Sequence, residues 1–320
     1  MEPDLRRRLR ASFLALGAAF LWAAYYAFVL ALAPHVAASG LIVWPFVFGA
    51  LGYAAWVLAG GHAGHFLPLS RSWEAWARVG LLVAVQLAIL AETFLAGAVD
   101  TSLLSLLGDV VLTPLLVMFA LREGRDRAKN PLFLGGIVLA TAGASLTIIA
   151  GGAVRPLTAV AALVGALLPF GVALYFLSAA QENRRTPTSA VVGHLTILAA
   201  AVSLLISPLL PGGFAGLSIA TPEQLGLLAA TGLTTFFIAP AMYFRAIEEA
   251  GLVLAAVLMA SIPVFTLLLA GGLFGQVPPV LGLLGVPIAV FGAIAALQGA
   301  HPPWSRQYGD GSAPAPPGDG

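Results

Sequence analysis

Two carboxylates sit in stretches where almost nothing else is charged: Glu92 in VAVQLAILAETFLAGAV and Asp109 in SLLSLLGDVVLTPLL. An ionised carboxylate taken out of water costs several kcal/mol unless it is hydrated, paired or neutralised. Such acids therefore suit the binding of a proton or a cationic solute. The plainer reading is that they hydrogen-bond to hydroxyls such as Thr93 or Thr113 and hold helices together. Five aromatics, Trp22, Tyr25, Tyr26, Phe170 and Tyr175, fall in the middle of apolar runs, whereas Trp44, Trp73 and Trp76 fall near their ends. Interface belts account for the second group. Deep rings suit the wall of a site for apolar or aromatic solutes, or else plain packing. Tyr243 joins Trp22, Tyr26 and Tyr175 as a candidate solute contact. Pro114 and Pro263 lie near the middles of two further runs. There a proline removes a backbone hydrogen bond and kinks the helix, which offers carbonyls to a cavity and a hinge to a gate. Pro169 and Pro240 are read the same way, although proline is also simply tolerated in membrane helices.

Other chemistries are excluded or unsupported. The chain has no cysteine, so disulfides, thiolate metal sites and cysteine nucleophiles are ruled out. It carries no Walker loop, no His-Glu-x-x-His helix and no Gly-x-Ser-x-Gly elbow, so neither an enzyme nor direct use of ATP is expected. No basic face interleaves with aromatics as nucleic-acid binding requires. No cofactor or metal is expected. Arg245, Glu248 and Glu249 read as a solvated cap, and Gln86 and His194 as structural polar groups.

The elements that must position these residues follow from composition. Of 320 residues 60% are hydrophobic and 9% charged, and the mean hydropathy is +0.97. That leaves too little polar surface for a water-soluble globule. About twenty apolar residues at a rise of about 1.5 Å cross the hydrocarbon of a bilayer. Such segments are expected at 13–32, 41–59, 79–98, 102–121, 131–150, 157–178, 189–209, 224–244, 252–270 and 280–298. Barrel strands would be about ten residues long and would alternate, which these runs do not. With residues 1–12 as a basic cytoplasmic arm, fourteen of the fifteen Lys and Arg fall on the inner side and only Arg155 outside. Both termini are thus expected in the cytoplasm. Residues 299–320, rich in Pro, Gly and Ser, read as a disordered cytoplasmic tail.

An offset of 149 residues places Asp100 over Glu249, Pro114 over Pro263, Gly136 over Gly285, Ala140 over Ala289 and Gly143 over Gly292. Each copy holds five segments. An odd number inverts the second copy, so the expected fold is all-α, ten transmembrane helices as two inverted five-helix repeats, 13–150 and 157–298, around a central cavity. The small-residue rows Gly136, Ala140, Gly143 and Gly285, Ala289, Gly292 are packing surfaces.

On these grounds the chain resembles the drug/metabolite transporter superfamily, in particular its EamA branch, over residues 12–298. The resemblance rests on the ten segments, on LGAAFLWAAYYAF and LVGALLPFGVALYF, and on YFRAIEEAGLVLAAVLMASIPVFTLLLAGGLFGQ. It implies a secondary carrier with a cavity formed by segments 1, 3, 4, 6, 8 and 9. Asp109, and Gln276 where a Glu is common, depart from the pattern. The expected function is export of a small metabolite or drug-like solute by alternating access across a bacterial-type plasma membrane. Protons are a candidate coupling ion, lipid is the surrounding partner, and the chain is a monomer or weak dimer. The alternative is a non-transporting membrane scaffold or receptor.

Overall fold

The computed structural model describes residues 3–60, 72–112, 115–116, 130–152, 159–183, 188–219, 221–250, 255 and 258–299. Among the described residues it is helical and holds no strand. In chain order the helices are α1 (Pro3–Leu32), α2 (Ala38–Gly60), α3 (Trp73–Leu95), α4 (Ala98–Leu106), α5 (Pro131–Gly152), α6 (Ala159–Asn183), α7 (Thr188–Ile206), α8 (Pro222–Gly232), α9 (Ala239–Ala250), α10 (Ile262–Phe274) and α11 (Val280–Gly299). α4 runs on as a π-helical stretch, Leu107–Leu112, and a second one, Leu233–Ile238, joins α8 to α9.

Local chemistry sets several of these ends. The Ser72 hydroxyl accepts from the Ala75 N–H to start α3, and the Thr221 hydroxyl accepts from the Gln224 N–H to start α8 ahead of Pro222. α10 closes on Gly275 at φ 63°, where the Gly275 and Gln276 N–H groups reach back to the carbonyls of Gly271 and Ala270. A left-handed residue of this kind is the usual helix stop. Gly97, at φ 117°, separates α3 from α4. That conformation is open to glycine and strained for other residues.

Among the described residues six helical spans are long and apolar enough to cross a membrane: Leu9–Leu32, Ala38–Ala59, Trp73–Leu95, Pro131–Ala150, Ala190–Leu209 and Pro222–Glu249. Shorter apolar helices cover Ala162–Tyr175, Ile262–Phe274 and Val280–Ala296. Every one of the ten expected segments contains helix among the described residues.

The side-chain distribution is that of a protein in lipid. Large apolar side chains such as Phe13, Leu205, Leu209 and Val280 are exposed, while Ala15, Ala18, Ala19, Ala140 and Ala289 are fully buried. α5 and α11 show why. On α5 the buried face is Phe133, Gly136, Ala140, Gly143, Ala144 and Thr147, and the opposite face carries the exposed Leu132, Leu134, Val138 and Ile149. α11 buries Gly282, Gly285, Ala289, Gly292 and Ala296 and exposes Leu281, Leu284 and Phe291. Small residues inside let backbones touch, as membrane helices require where lipid competes for larger apolar groups. The two buried faces meet each other. A Cβ on Gly136 would fall 2.2 Å from the Ala296 nitrogen, one on Gly143 2.3 Å from that of Ala289, and one on Gly292 2.2 Å from that of Ala140. Partners descend as α5 ascends, so the pair is antiparallel. Thr147 Oγ1 donates across it to the Gly282 carbonyl at 2.9 Å, and Asn130 Nδ2 to that of Gly299 at 3.0 Å.

Elsewhere α1 packs on α9 and α10, while α6 packs on α3 and on α4 with its π-helical continuation. α2 packs on α7.

Candidate translocation site

Glu92 lies in the last turn of α3, since α3 ends at Leu95 and the Ala96 and Gly97 N–H groups both bond to the Glu92 carbonyl. The turn to α4 therefore falls at Ala96–Gly97, not around 99–101. Asp109 stands well into the next helix, in the Leu107–Leu112 stretch. Glu92 therefore stands nearer the turn than Asp109 does. At about 1.5 Å per residue they differ by roughly 10 Å along the helix axes. The side chain of Asp109 lies outside the described residues, as do Pro114 and Thr113.

The Glu92 side chain is buried between three helices. A Cβ added to Gly165 of α6 would stand 3.0 Å from Glu92 Oε1 and 3.3 Å from Leu104 Cδ1 of α4. The missing side chain at residue 165 is what leaves the carboxyl room. Glu92 Oε2 is buried and has no hydrogen-bond partner among the described residues. Thr93, the neighbouring hydroxyl, donates instead to the Ile89 carbonyl of its own helix at 2.7 Å. The locking role for Thr93 thus finds no support, and an orphaned buried carboxylate oxygen calls for a proton or a cation.

One residue past Leu104, Ser105 Oγ lies 3.5 Å from the Tyr26 hydroxyl of α1. Glu92 and Tyr26 therefore flank the same turn of α4. Behind Tyr26 the rings continue: Tyr25 is 5.8 Å away between centroids, Phe236 a further 6.1 Å from Tyr25, and Phe46 4.4 Å from Phe236. Nothing in the sequence reading singles out Ser105 or Gly165 as neighbours of these groups. A glycine opposite a buried acid is the available signal for Gly165.

Trp22 and Tyr243 occupy a different seam, between α1 and α9, with ring centroids 5.4 Å apart. Trp22 Nε1 donates to the Thr235 carbonyl at 3.1 Å. This bond has a sequence cause. The Ala239 N–H is used by the Thr234 carbonyl, and the next residue, Pro240, has no N–H to give to Thr235. The carbonyl that Pro240 frees is thus taken up by Trp22. Pro263 is buried in the first turn of α10, after a turn at 260–261. It stands where its missing N–H costs nothing, rather than in mid-helix. Tyr175 is half-buried on α6, in the neighbourhood of the buried Tyr53 of α2. Phe170 is 51% exposed on the outer surface, which corrects its reading as a wall residue.

At the end of the bundle where α1 begins, the Glu249 carboxylate is buried between two arginines. Arg10 Nε donates to Oε2 at 2.7 Å and Arg10 Nη2 to Oε1, while Arg245 Nε donates to Oε1 at 2.8 Å. Arg245 also reaches Glu248 Oε2 at 3.0 Å, and Arg7 donates to the Glu248 carbonyl at 3.2 Å. The expected solvated cap is therefore a clamp tying the start of α1 to the end of α9. Its two-pronged geometry is the stronger kind of ion pair. Glu249→Gln is expected to destabilise the fold by about 1–2 kcal/mol, the range for a hydrogen bond to a charged group lowered by the exposure of both guanidinium groups. Thermal melting of the purified protein at low and high salt checks this, and the wild type should lose more stability in salt than the variant. Among the described residues no three His, Asp or Glu side chains come together as a metal site would need.

The apolar spans, the lipid-facing surface and the small-residue seams define an integral, multi-pass α-helical membrane protein. Residues 157–298 match the EamA-like transporter family, which belongs to the drug/metabolite transporter superfamily, and the resemblance read from the sequence holds there. One solved crystal structure is similar over 89% of this chain and 96% of its own, with a TM-score of 0.65 and 21% identity, a likeness of fold alone. No curated protein matches the chain.

Proposed function

We propose that the chain is a secondary carrier of ten crossing helices, built as two inverted repeats, 13–150 and 157–298, that moves a small metabolite or drug-like solute by alternating access. The observation that carries this reading is the self-mapping of the packing. Adding 149 to Gly136 gives Gly285, and subtracting it from the Gly136 partner Ala296 gives Thr147, which is the residue Gly285 faces. In the same way the contact of Gly143 with Ala289 maps onto that of Gly292 with Ala140. The packing of α1 on α9 maps onto that of α6 on α3 and the start of α4. A two-fold axis in the membrane plane is the arrangement that lets one structure face either side.

Glu92 is the proposed coupling or solute-binding group, with Tyr26 beside it. Asp109 and Pro114 keep their proposed roles as a second acid and a hinge, Trp22, Tyr175 and Tyr243 keep theirs as solute contacts, and Pro263 is the proposed second hinge at the start of α10. The direction proposed is export, with protons as the coupling ion. The test is a melting screen of the purified protein against metabolite and drug classes, followed by flux of the stabilising compounds in liposomes with and without a pH gradient. Stabilisation by one class together with its flux supports the carrier, whereas no flux of any stabilising compound overturns it.

Both termini are proposed to be cytoplasmic, from the fourteen-to-one division of basic residues. Fusions at either terminus should give fluorescent green fluorescent protein and inactive alkaline phosphatase. Active phosphatase at either end overturns the topology.

A further inference from the structure

The geometry points to the backbone carbonyl of Gly165, released by Pro169, as the acceptor that holds a proton on Glu92. The inference rests on the coupling role given to Glu92 and deepens it by naming what the protonated acid bonds to and which residue provides it. Pro169 lies inside α6 and is buried. It has no N–H, so the carbonyl four residues earlier, that of Gly165, loses its intrahelical partner. Gly165 is the residue opposite Glu92: a Cβ there would stand 3.0 Å from Glu92 Oε1 and 3.6 Å from its carboxyl carbon. A Cβ on Gly171 would meet Val85 Cγ2 at 3.0 Å, so α6 runs antiparallel to α3. Helix side chains lean toward the N-terminus of their own helix and helix carbonyls point toward the C-terminus. In this antiparallel pair the Glu92 side chain and the Gly165 carbonyl therefore point the same way. Bond lengths place that carbonyl oxygen within about 3.5 Å of the Cβ position, so acceptor and acid meet across one missing side chain.

A carboxylate cannot donate to a carbonyl, whereas the protonated acid can. Glu92 Oε2 is buried and has no hydrogen-bond partner among the described residues, so the ionised form faces a second acceptor and the protonated form gains a bond. The protein uses the same device elsewhere, where the carbonyl freed by Pro240 takes the Trp22 indole N–H. Leu104 Cδ1, 3.3 Å from the same built Cβ, covers the pair from α4. The continuation of α4 covers the break itself, since a Cβ on Gly108 would meet the Pro169 carbonyl oxygen at 2.5 Å. The other ionisable groups on the helices packed around Glu92 are few. α6 carries none from Ala159 to Leu174 and then Tyr175, α7 carries only His194, and on α3 itself Glu74 and Arg78 lie near the start. α4 brings the buried Asp100, one turn before Leu104, and Asp109 follows in its continuation. The Tyr26 hydroxyl of α1 approaches through Ser105.

Pro169→Ala returns an N–H to the helix, which reclaims the Gly165 carbonyl and leaves the protonated acid without its acceptor. Infrared difference spectra of the full chain in lipid nanodiscs, recorded against pH, read this directly and need no solute. The carboxylic-acid band that disappears in Glu92→Gln belongs to Glu92. In the wild type it should fall where a hydrogen-bonded acid absorbs. In Pro169→Ala it should move to higher wavenumber, and its titration midpoint should move to lower pH by roughly half to one unit, the equivalent of one hydrogen bond. Pro240→Ala, the same change at the break that serves Trp22, should leave both in place. A wild-type band at the position of a free acid overturns the inference even if Pro169→Ala fails to fold. A band and midpoint unmoved by Pro169→Ala overturn it too, with the carrier and its coupling acid left standing. An equal shift in Pro240→Ala overturns it by showing that the effect is not local to Gly165. Bands that behave as expected in a protein whose flux ignores pH uphold the pair and remove the coupling role instead. Absence of any titrating band that Glu92→Gln removes overturns both.

Discussion

Replacing Glu92 with Gln is expected to lower proton-coupled solute flux by roughly tenfold or more, equivalent to at least about 1.4 kcal/mol, and to leave the melting temperature unchanged or raised. Gln keeps the shape beside Gly165 and Leu104 and removes titration. The sign of the stability change follows from the surroundings of the carboxyl. Glu92 Oε2 has no hydrogen-bond partner among the described residues and Thr93 is occupied with Ile89, so an amide loses no observed bond there. A carboxyl that held helices together would show the reverse, a lower melting temperature with flux changed only through loss of folded protein. Measuring liposome flux at several pH values, beside melting of the same preparations, separates the two. In the variant the remaining flux should no longer vary with pH, because the neutral amide stands in for the protonated acid at every pH. Wild-type flux with an unchanged pH profile would remove Glu92 from the coupling role. Gly165→Val should mimic the loss by crowding Glu92 Oε1, which a built Cβ already approaches at 3.0 Å.

Gly292→Leu should have the largest effect on stability. Its Cβ would meet the Ala140 nitrogen at 2.2 Å and the Leu139 carbonyl carbon at 2.7 Å. Those are backbone atoms of a facing helix and cannot swing aside, so α5 and α11 must part. Overpacking costs about 1–3 kcal/mol where side chains can adjust, and loss of folded, monodisperse protein is the expected outcome here. Gly135→Leu supplies the control. One residue before Gly136, it faces outward with nothing within 4 Å of a built Cβ, so a leucine there should be tolerated in lipid. Size-exclusion elution and melting of both variants check this. Equal behaviour of the two would mean that the seam is not packed as described.

Much of this is legible in the sequence because the physics involved is local. Apolar runs of bilayer length mark where helix can form, and each of the ten contains it among the described residues. The rows of glycine and alanine on α5 and α11 are readable as packing faces, since small residues at helical spacing serve little else. What the sequence conceals are matters of register and partner. It makes Glu92 look deeper than it is because Gly97 falls inside an apolar run, and only its positive φ reveals that the chain turns there. Arg10 and Glu249 are separated by 239 positions, and no local signal joins them. Pro240 is recognisable as freeing a carbonyl, but that Trp22 collects it depends on how α1 lies across the second π-helical stretch. Asp109 and Pro114, the other proposed acid and hinge, rest on the sequence alone.

The α5–α11 seam also sets an order of events in time. α5 ends at Gly152 and the helix that covers its glycine face does not begin until Val280. At a synthesis rate of about 5–20 residues per second, that face waits on the order of ten seconds in the membrane before its partner exists. For that interval α5 presents a stripe of bare backbone to lipid, apolar enough to remain inserted but too shallow to be filled by any side chain of its own helix. The nascent chain is then most open to mispairing with another copy or to capture by the insertion machinery. A chain cut after the first repeat would stay in that condition indefinitely, which makes the seam a checkpoint for completed synthesis as much as a source of stability.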